Sequence, residues 1–183
     1  MARLFGSAAL FRSRPRVPLL RACALALLLA LAAAVAPAPF SRGALALDSG
    51  ASVALEPLTI VTDPKGPHPV DHALSVEVMR TVQEREHGLM DRRYLPADRG
   101  MLFQFDHEQS VMMWMKDTYI PLDMIFISPA GVVTHIHENA EPLSEAIISS
   151  EGPAFGVLEV NGGYARKIGL KPGDLVRNAM FKP

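Results

Sequence analysis

The sequence predicts an α+β domain that is mainly antiparallel β, compact, barrel- or sandwich-like, with two short helices. Three observations predict it. Short apolar runs recur from Leu58 to Arg177, each bounded by Gly, Pro, Asn or Asp. The stretch Ala73–Val82 alternates apolar and polar residues with a period of two. Helix-forming residues gather in only two brief stretches, Gln83–Met90 and Gly163–Ile168.

Taken in order, Leu58–Val61 is a first short strand, and Asp63–Pro69, rich in Pro, is a loop. In Ala73–Val82, Leu74, Val76 and Val78 share one face and Ser75, Glu77 and Met79 the other. Thr81 can cap the following helix, with Glu84 three residues on, and Gly88 can end it. Turn-rich residues from Arg92 to Gly100 lead to a strand at Met101–Phe105. Asp106–Gln109 reads as a polar loop before a second apolar run, Val111–Met115. Met124–His137 reads as a hairpin turning at Pro129-Ala130-Gly131. Glu138–Gly152 reads as a long surface segment, Ala154–Val160 as a strand, and Leu175–Arg177 as the last strand after a Pro-Gly turn.

The first 46 residues have a different character. Arg3, Arg12, Arg14, Arg16 and Arg21 precede an apolar run, Ala22–Ala36, and Ala44-Leu45-Ala46 fits a cleavage site. These three parts in order are those of a secretory signal, without the Arg pair of the twin-arginine type. Residues 1–46 are therefore expected to be a signal peptide, 47–57 a linker and 58–183 one domain, exported to the periplasm or cell envelope. An uncleaved leader would instead tether the domain to the membrane.

The only cysteine, Cys23, lies within the leader. The remainder then has no thiol for disulfides, cysteine catalysis or Cys-based metal sites. Beyond Ala46 there are 12 basic and 19 acidic side chains, a net charge of −7. That balance argues against nucleic acid as a partner, because neutralising phosphates takes clustered cations.

The site is expected in Ser110–Ser128. Two apolar runs there flank a turn carrying Lys116, Asp117, Thr118 and Asp123, beside Trp114, the only tryptophan. Asp117, Asp123 and Glu159 can be read as an acid–base set tuned by Lys116, or as carboxylates holding backbone amides of turns. The second reading is preferred, since neither a nucleophile nor a Gly-x-Ser-x-Gly elbow accompanies them. Met112, Met113 and Met115 offer thioethers suited to Cu(I). Strand alternation separates them onto two faces, and core packing is preferred. His135 and His137 project from one strand face and would need Glu138 or His107 to complete a zinc site. A plain surface is preferred there, so neither metal nor cofactor is expected. Arg85, Arg92 and Lys116 can hold an anionic ligand or pair with neighbouring acids.

Several stretches together resemble a known family: Glu84–Met90 with Arg92, Gly100–Phe105, Trp114–Thr118 through Pro121-Leu122-Asp123 and Phe126, Leu158–Gly163, and Gly173-Asp174. The chain is similar to the domain of unknown function 192 family over roughly Ser75–Arg177. The resemblance implies a compact β-rich domain, usually behind a signal peptide or anchor, and no known activity, substrate or cofactor. The family usually has Asn where this chain has Asp117.

Two functions follow as expectations. The first is a non-enzymatic binding or accessory module of the cell envelope, with a small polar pocket beside Trp114. Its candidate ligand-binding residues are Arg85, Arg92, Trp114, Lys116, Asp117, Thr118, Asp123 and Glu159, and its partner is a small molecule or an envelope protein. The second is a hydrolase using Asp117, Asp123 and Glu159.

Overall fold

The computed structural model describes residues 54–182; the leader, its cleavage site and most of the linker lie outside the described residues. Seven strands, β1 (Leu55–Thr62), β2 (Val70–Met79), β3 (Arg99–Met113), β4 (Leu122–Ile127), β5 (Val133–Ala140), β6 (Ile148–Asn161) and β7 (Leu175–Arg177), form one sheet. Its order is β5-β4-β6-β3-β2-β1-β7. The helices are α1 (Val82–His87) and α2 (Tyr164–Ile168). The expected class is what is found: a mostly antiparallel β half-barrel with two short helices.

One neighbouring pair is parallel. Ser75–Met79 of β2 runs alongside Arg99–Phe103 of β3. A parallel pair needs a crossover, and α1 with the turns after it supplies one. Thr81 and Glu84 form the expected capping box: Thr81 Oγ1 accepts from the Glu84 N–H, and the Glu84 carboxylate accepts from the Thr81 N–H.

The sheet curls until its two edges meet. Val132, just before β5, bridges to Leu175 of β7. Gly131 makes this possible, with φ 79° and the position of an added Cβ only 2.4 Å from the Val176 carbonyl oxygen. Asp174, buried beside the seam, accepts from the N–H groups of Asp63 and Lys171.

Both faces of the sheet are covered. Leu74, Val76 and Val78 point into one core, with Leu58, Ile125, Leu158, Val160 and Phe181. Met101, Phe103, Met124, Phe126 and Val157 point into a second, closed by Leu89, Leu95, Met115 and Ile120. β4 is buried at every position, which is why its sequence, Asp123 apart, reads as an apolar run. Each such side chain contributes about 1.5–3 kcal/mol by leaving water.

Four expectations are corrected. Asp106–Gln109 is strand, not loop, because β3 pairs with β6 on both sides of it and absorbs the polar residues in an irregularity between Gln104 and Gln109. β3 ends at Met113, so Trp114 and Met115 belong to the following turn. Most of Glu138–Gly152 is not irregular surface either, since β5 runs to Ala140 and β6 starts at Ile148. α1 stops at His87, and Gly88 closes it at φ 49° as the sequence predicts. β1, for its part, begins at Leu55, inside the stretch read as linker.

Candidate functional site

A cavity of about 490 Å³ opens where the end of α1 faces β3. That lies within the range of small-molecule sites. Phe103 and Phe105, two residues apart on β3, share one face by strand alternation and form part of the wall. Val82 and His87 of α1, Met113 and Trp114 complete much of the rest. Trp114 is 46 % exposed and stands at the mouth.

Glu159 also lines the cavity. It sits in the apolar run Val157–Val160 of β6 and is only 4 % exposed. Its strand partner is Met124, which faces the second core, so Glu159 points the same way. Among the described residues, every fully buried side-chain nitrogen or oxygen has a hydrogen-bond partner. The Glu159 carboxyl has no such partner and stays open to the cavity. Burial alone pushes it up to about 8, from an ordinary value of 4.5, so it is mainly protonated at neutral pH.

Asp123 lies elsewhere. Its strand partner is Val160, which faces the first core, so Asp123 and Glu159 project from opposite faces of the sheet. Asp123 is wholly buried and accepts three backbone N–H bonds, from Asn139 (2.8 Å), Gly163 (2.9 Å) and Ala165 (2.8 Å). It ties β4 to the end of β5 and to the start of α2.

Asp117 is exposed and lines no part of the cavity. Its φ is 53°, a left-handed conformation in which Asn and Asp are enriched. Its carbonyl accepts from the Asp91 N–H. Thr118 is buried, lines the cavity and donates from Oγ1 to the Lys116 carbonyl at 3.2 Å. Lys116 is exposed, with its ammonium 5.6 Å from the centre of the Trp114 ring.

Arg85 lies on the cavity wall, but its guanidinium is engaged. It donates to the carbonyls of Arg80 and Gln104 and lies over the Phe105 ring at 5.4 Å. Arg92 is away from the cavity, in a two-pronged pair with Glu77 at 2.6 Å on each arm. The guanidinium holds the Glu77 carboxyl below its usual range.

Of the eight candidates, the cavity thus gathers Arg85, Trp114, Thr118 and Glu159. Arg92, Lys116, Asp117 and Asp123 lie outside its wall. The methionines divide: Met115 is fully buried, whereas Met112 is 73 % exposed and lines the mouth with Met113. His135 stacks on Phe126 and lies 3.6 Å from Glu151. Among the described residues no three His, Cys, Asp or Glu side chains gather as a metal-holding group. Phe103, Phe105 and His87, read only as parts of a strand and a helix, were not among the candidate site residues; the i, i+2 spacing of the two phenylalanines was the available signal.

Residues 64–178 match the model of the domain of unknown function 192 family, DUF192, described as uncharacterized ACR. The chain belongs to this family. The motif resemblance therefore stands, and with it comes no assigned activity, because DUF192 is uncharacterised. Two solved structures are similar to this DUF192 chain. One, from Sinorhizobium meliloti 1021 and described as a "putative transcription regulator", is 46% identical, with a TM-score of 0.67, covering 71% of this chain and 98% of that one. Another, a protein of unknown function from Novosphingobium aromaticivorans DSM 12444, is 39% identical, with a TM-score of 0.62, covering 67% and 84%. No curated protein matches the chain significantly.

Proposed function

We propose that this protein is an exported, non-enzymatic binding module that holds a small organic molecule in the cavity beside Trp114. The observation that carries this reading is the Glu159 carboxyl, buried and unpartnered at the cavity wall. An acid left unsatisfied in an apolar site costs stability and suits a site that a ligand completes. A mainly apolar lining with a few polar groups is the usual composition of a small-molecule pocket. Export is supported by the leader, residues 1–46.

The hydrolase reading needs Asp117, Asp123 and Glu159 together. Glu159 alone lines the cavity, and Asp123 is saturated on the other face of the sheet. A catalytic reading survives in another form: one raised carboxyl in an apolar cleft also suits general acid–base chemistry.

Trp114 provides the test. It is the only tryptophan and stands at the mouth, so its fluorescence reports occupancy directly. A library of small organic molecules titrated into the full chain is expected to yield compounds that shift its emission and raise the melting midpoint together. Trp114→Phe should lose the signal and keep the thermal shift. A library that leaves both readouts flat refutes a ligand site. Conversion of any bound compound, abolished in Glu159→Gln, would replace the binding module by an enzyme.

A further inference from the structure

We infer that the cavity takes an organic amine, its apolar body against Phe103, Met113 and Trp114 and its ammonium on the Glu159 carboxylate. This deepens the reading above and rests on the cavity being a ligand site.

The argument starts from what Glu159 lacks. Neither a hydrogen bond nor a neighbouring charge acts on its carboxyl; burial is the sole cause shifting it. A ligand that satisfies it in its ionised, acceptor-only form must bring N–H or O–H groups. A hydroxyl brings one; an ammonium brings three and a charge. In a site of low polarity, a charge-assisted bond is about twice as strong as a neutral one. An anion can take one hydrogen bond from the protonated acid and is repelled once the acid ionises near pH 8. The other titratable groups on the wall, Arg85, Glu86 and His87, all come from α1, and β3 and the Trp114 turn contribute none. Arg85 is committed to two carbonyls and the Phe105 ring. Lys116 lies over the indole, outside the wall. The net charge of −7 beyond the leader also draws cations toward the domain.

Proton balance gives the inference its signature. The amine arrives already protonated, near the pKa of a lysine. Glu159 starts protonated, with a value of about 8. Forming the ion pair sends the Glu159 proton to solvent. Affinity for an amine then rises about tenfold between pH 6 and pH 7 and levels off above 8.

The test is a matched trio sharing an aryl body: phenethylamine, phenethyl alcohol and phenylacetate. Each is titrated calorimetrically into the full chain at pH 6, 7 and 8, in two buffers of different ionisation enthalpy. At pH 8 phenethylamine is expected to bind about tenfold tighter than the alcohol. At pH 7 it should release close to one proton per molecule bound. Glu159→Gln should abolish both the preference and the proton release while still binding the alcohol. Trp114→Ala, which leaves the acid in place, should weaken all binding and keep the amine preference. Equal binding of amine and alcohol, or preference for phenylacetate, overturns the amine and leaves the cavity standing. If none of the three binds, the cavity reading itself fails.

Discussion

Replacing Glu159 with Gln keeps the side chain's shape and removes its titration. An ordinary glutamate titrates near 4.5, and burial pushes Glu159 up to about 8. Between those values the folded chain holds a proton that the unfolded chain has released. Stability must therefore fall as pH rises from about 4.5 to about 8, and this contribution is flat outside that window. Each unit is worth about 1.4 kcal/mol, so the whole fall is about 5 kcal/mol, of which about 3 kcal/mol has accrued by pH 7. Gln is neutral throughout and has no such slope. Glu159→Gln is expected to match the parent near pH 4.5, to exceed it by about 3 kcal/mol at pH 7, and to exceed it by about 5 kcal/mol at pH 9. Urea unfolding followed by circular dichroism at the three pH values measures the difference, and the titration of every other group cancels in the comparison. Parallel pH profiles for the two proteins would refute the reasoning, because they would mean that Glu159 is ionised and partnered in the native state.

Three further expectations concern the scaffold. Asp123→Asn keeps the size but turns one acceptor into a donor facing N–H groups; the loss should be about 2–4 kcal/mol by chemical unfolding, with ligand affinity of the folded fraction unchanged. Removing the Arg92–Glu77 pair should cost about 1 kcal/mol or less in a double-mutant cycle, because Arg92 is 37% exposed and solvent screens the pair. Since Arg92 holds Glu77 below 4.5, that contribution is present above pH 4.5 and lost as the solution becomes more acidic, opposite in sign to Glu159. Gly131→Ala puts a methyl group against the Val176 carbonyl at a left-handed position and should lower stability by about 2–3 kcal/mol, read from the melting midpoint.

Much of the scaffold was legible in the chain. The alternation at Leu74, Val76 and Val78 orients β2 because a strand's side chains can only alternate. Thr81 and Glu84 mark the start of α1 because their spacing lets each satisfy the other's backbone. Asp123, also a candidate site residue, holds backbone amides as the preferred reading had it, since a carboxylate among turn residues has amides to hand. What stayed hidden depends on partners far away in sequence. Nothing local in Asp106–Gln109 signals strand; only the pairing of both flanks with β6 carries the chain straight through. Nor does a local pattern reveal that β2 and β3 run parallel. Glu159 was a candidate for the wrong company. Its position inside Val157–Val160 signals burial, but grouping it with Asp123 required knowing which face each occupies, and the β4–β6 register sets that. Trp114 was expected to sit beside buried strands; it stands half-exposed where β3 has just ended.

The seam between Val132 and Leu175 has a consequence for the order of events in folding. β1 pairs only with β2 and with the three residues of β7. Until Leu175–Arg177 arrive, a growing or truncated chain keeps the outer hydrogen-bonding side of β1 bare, and a bare strand is an invitation to other chains. The shortest strand among the described residues thus works as a latch: once it pairs, the exposed edge is retired.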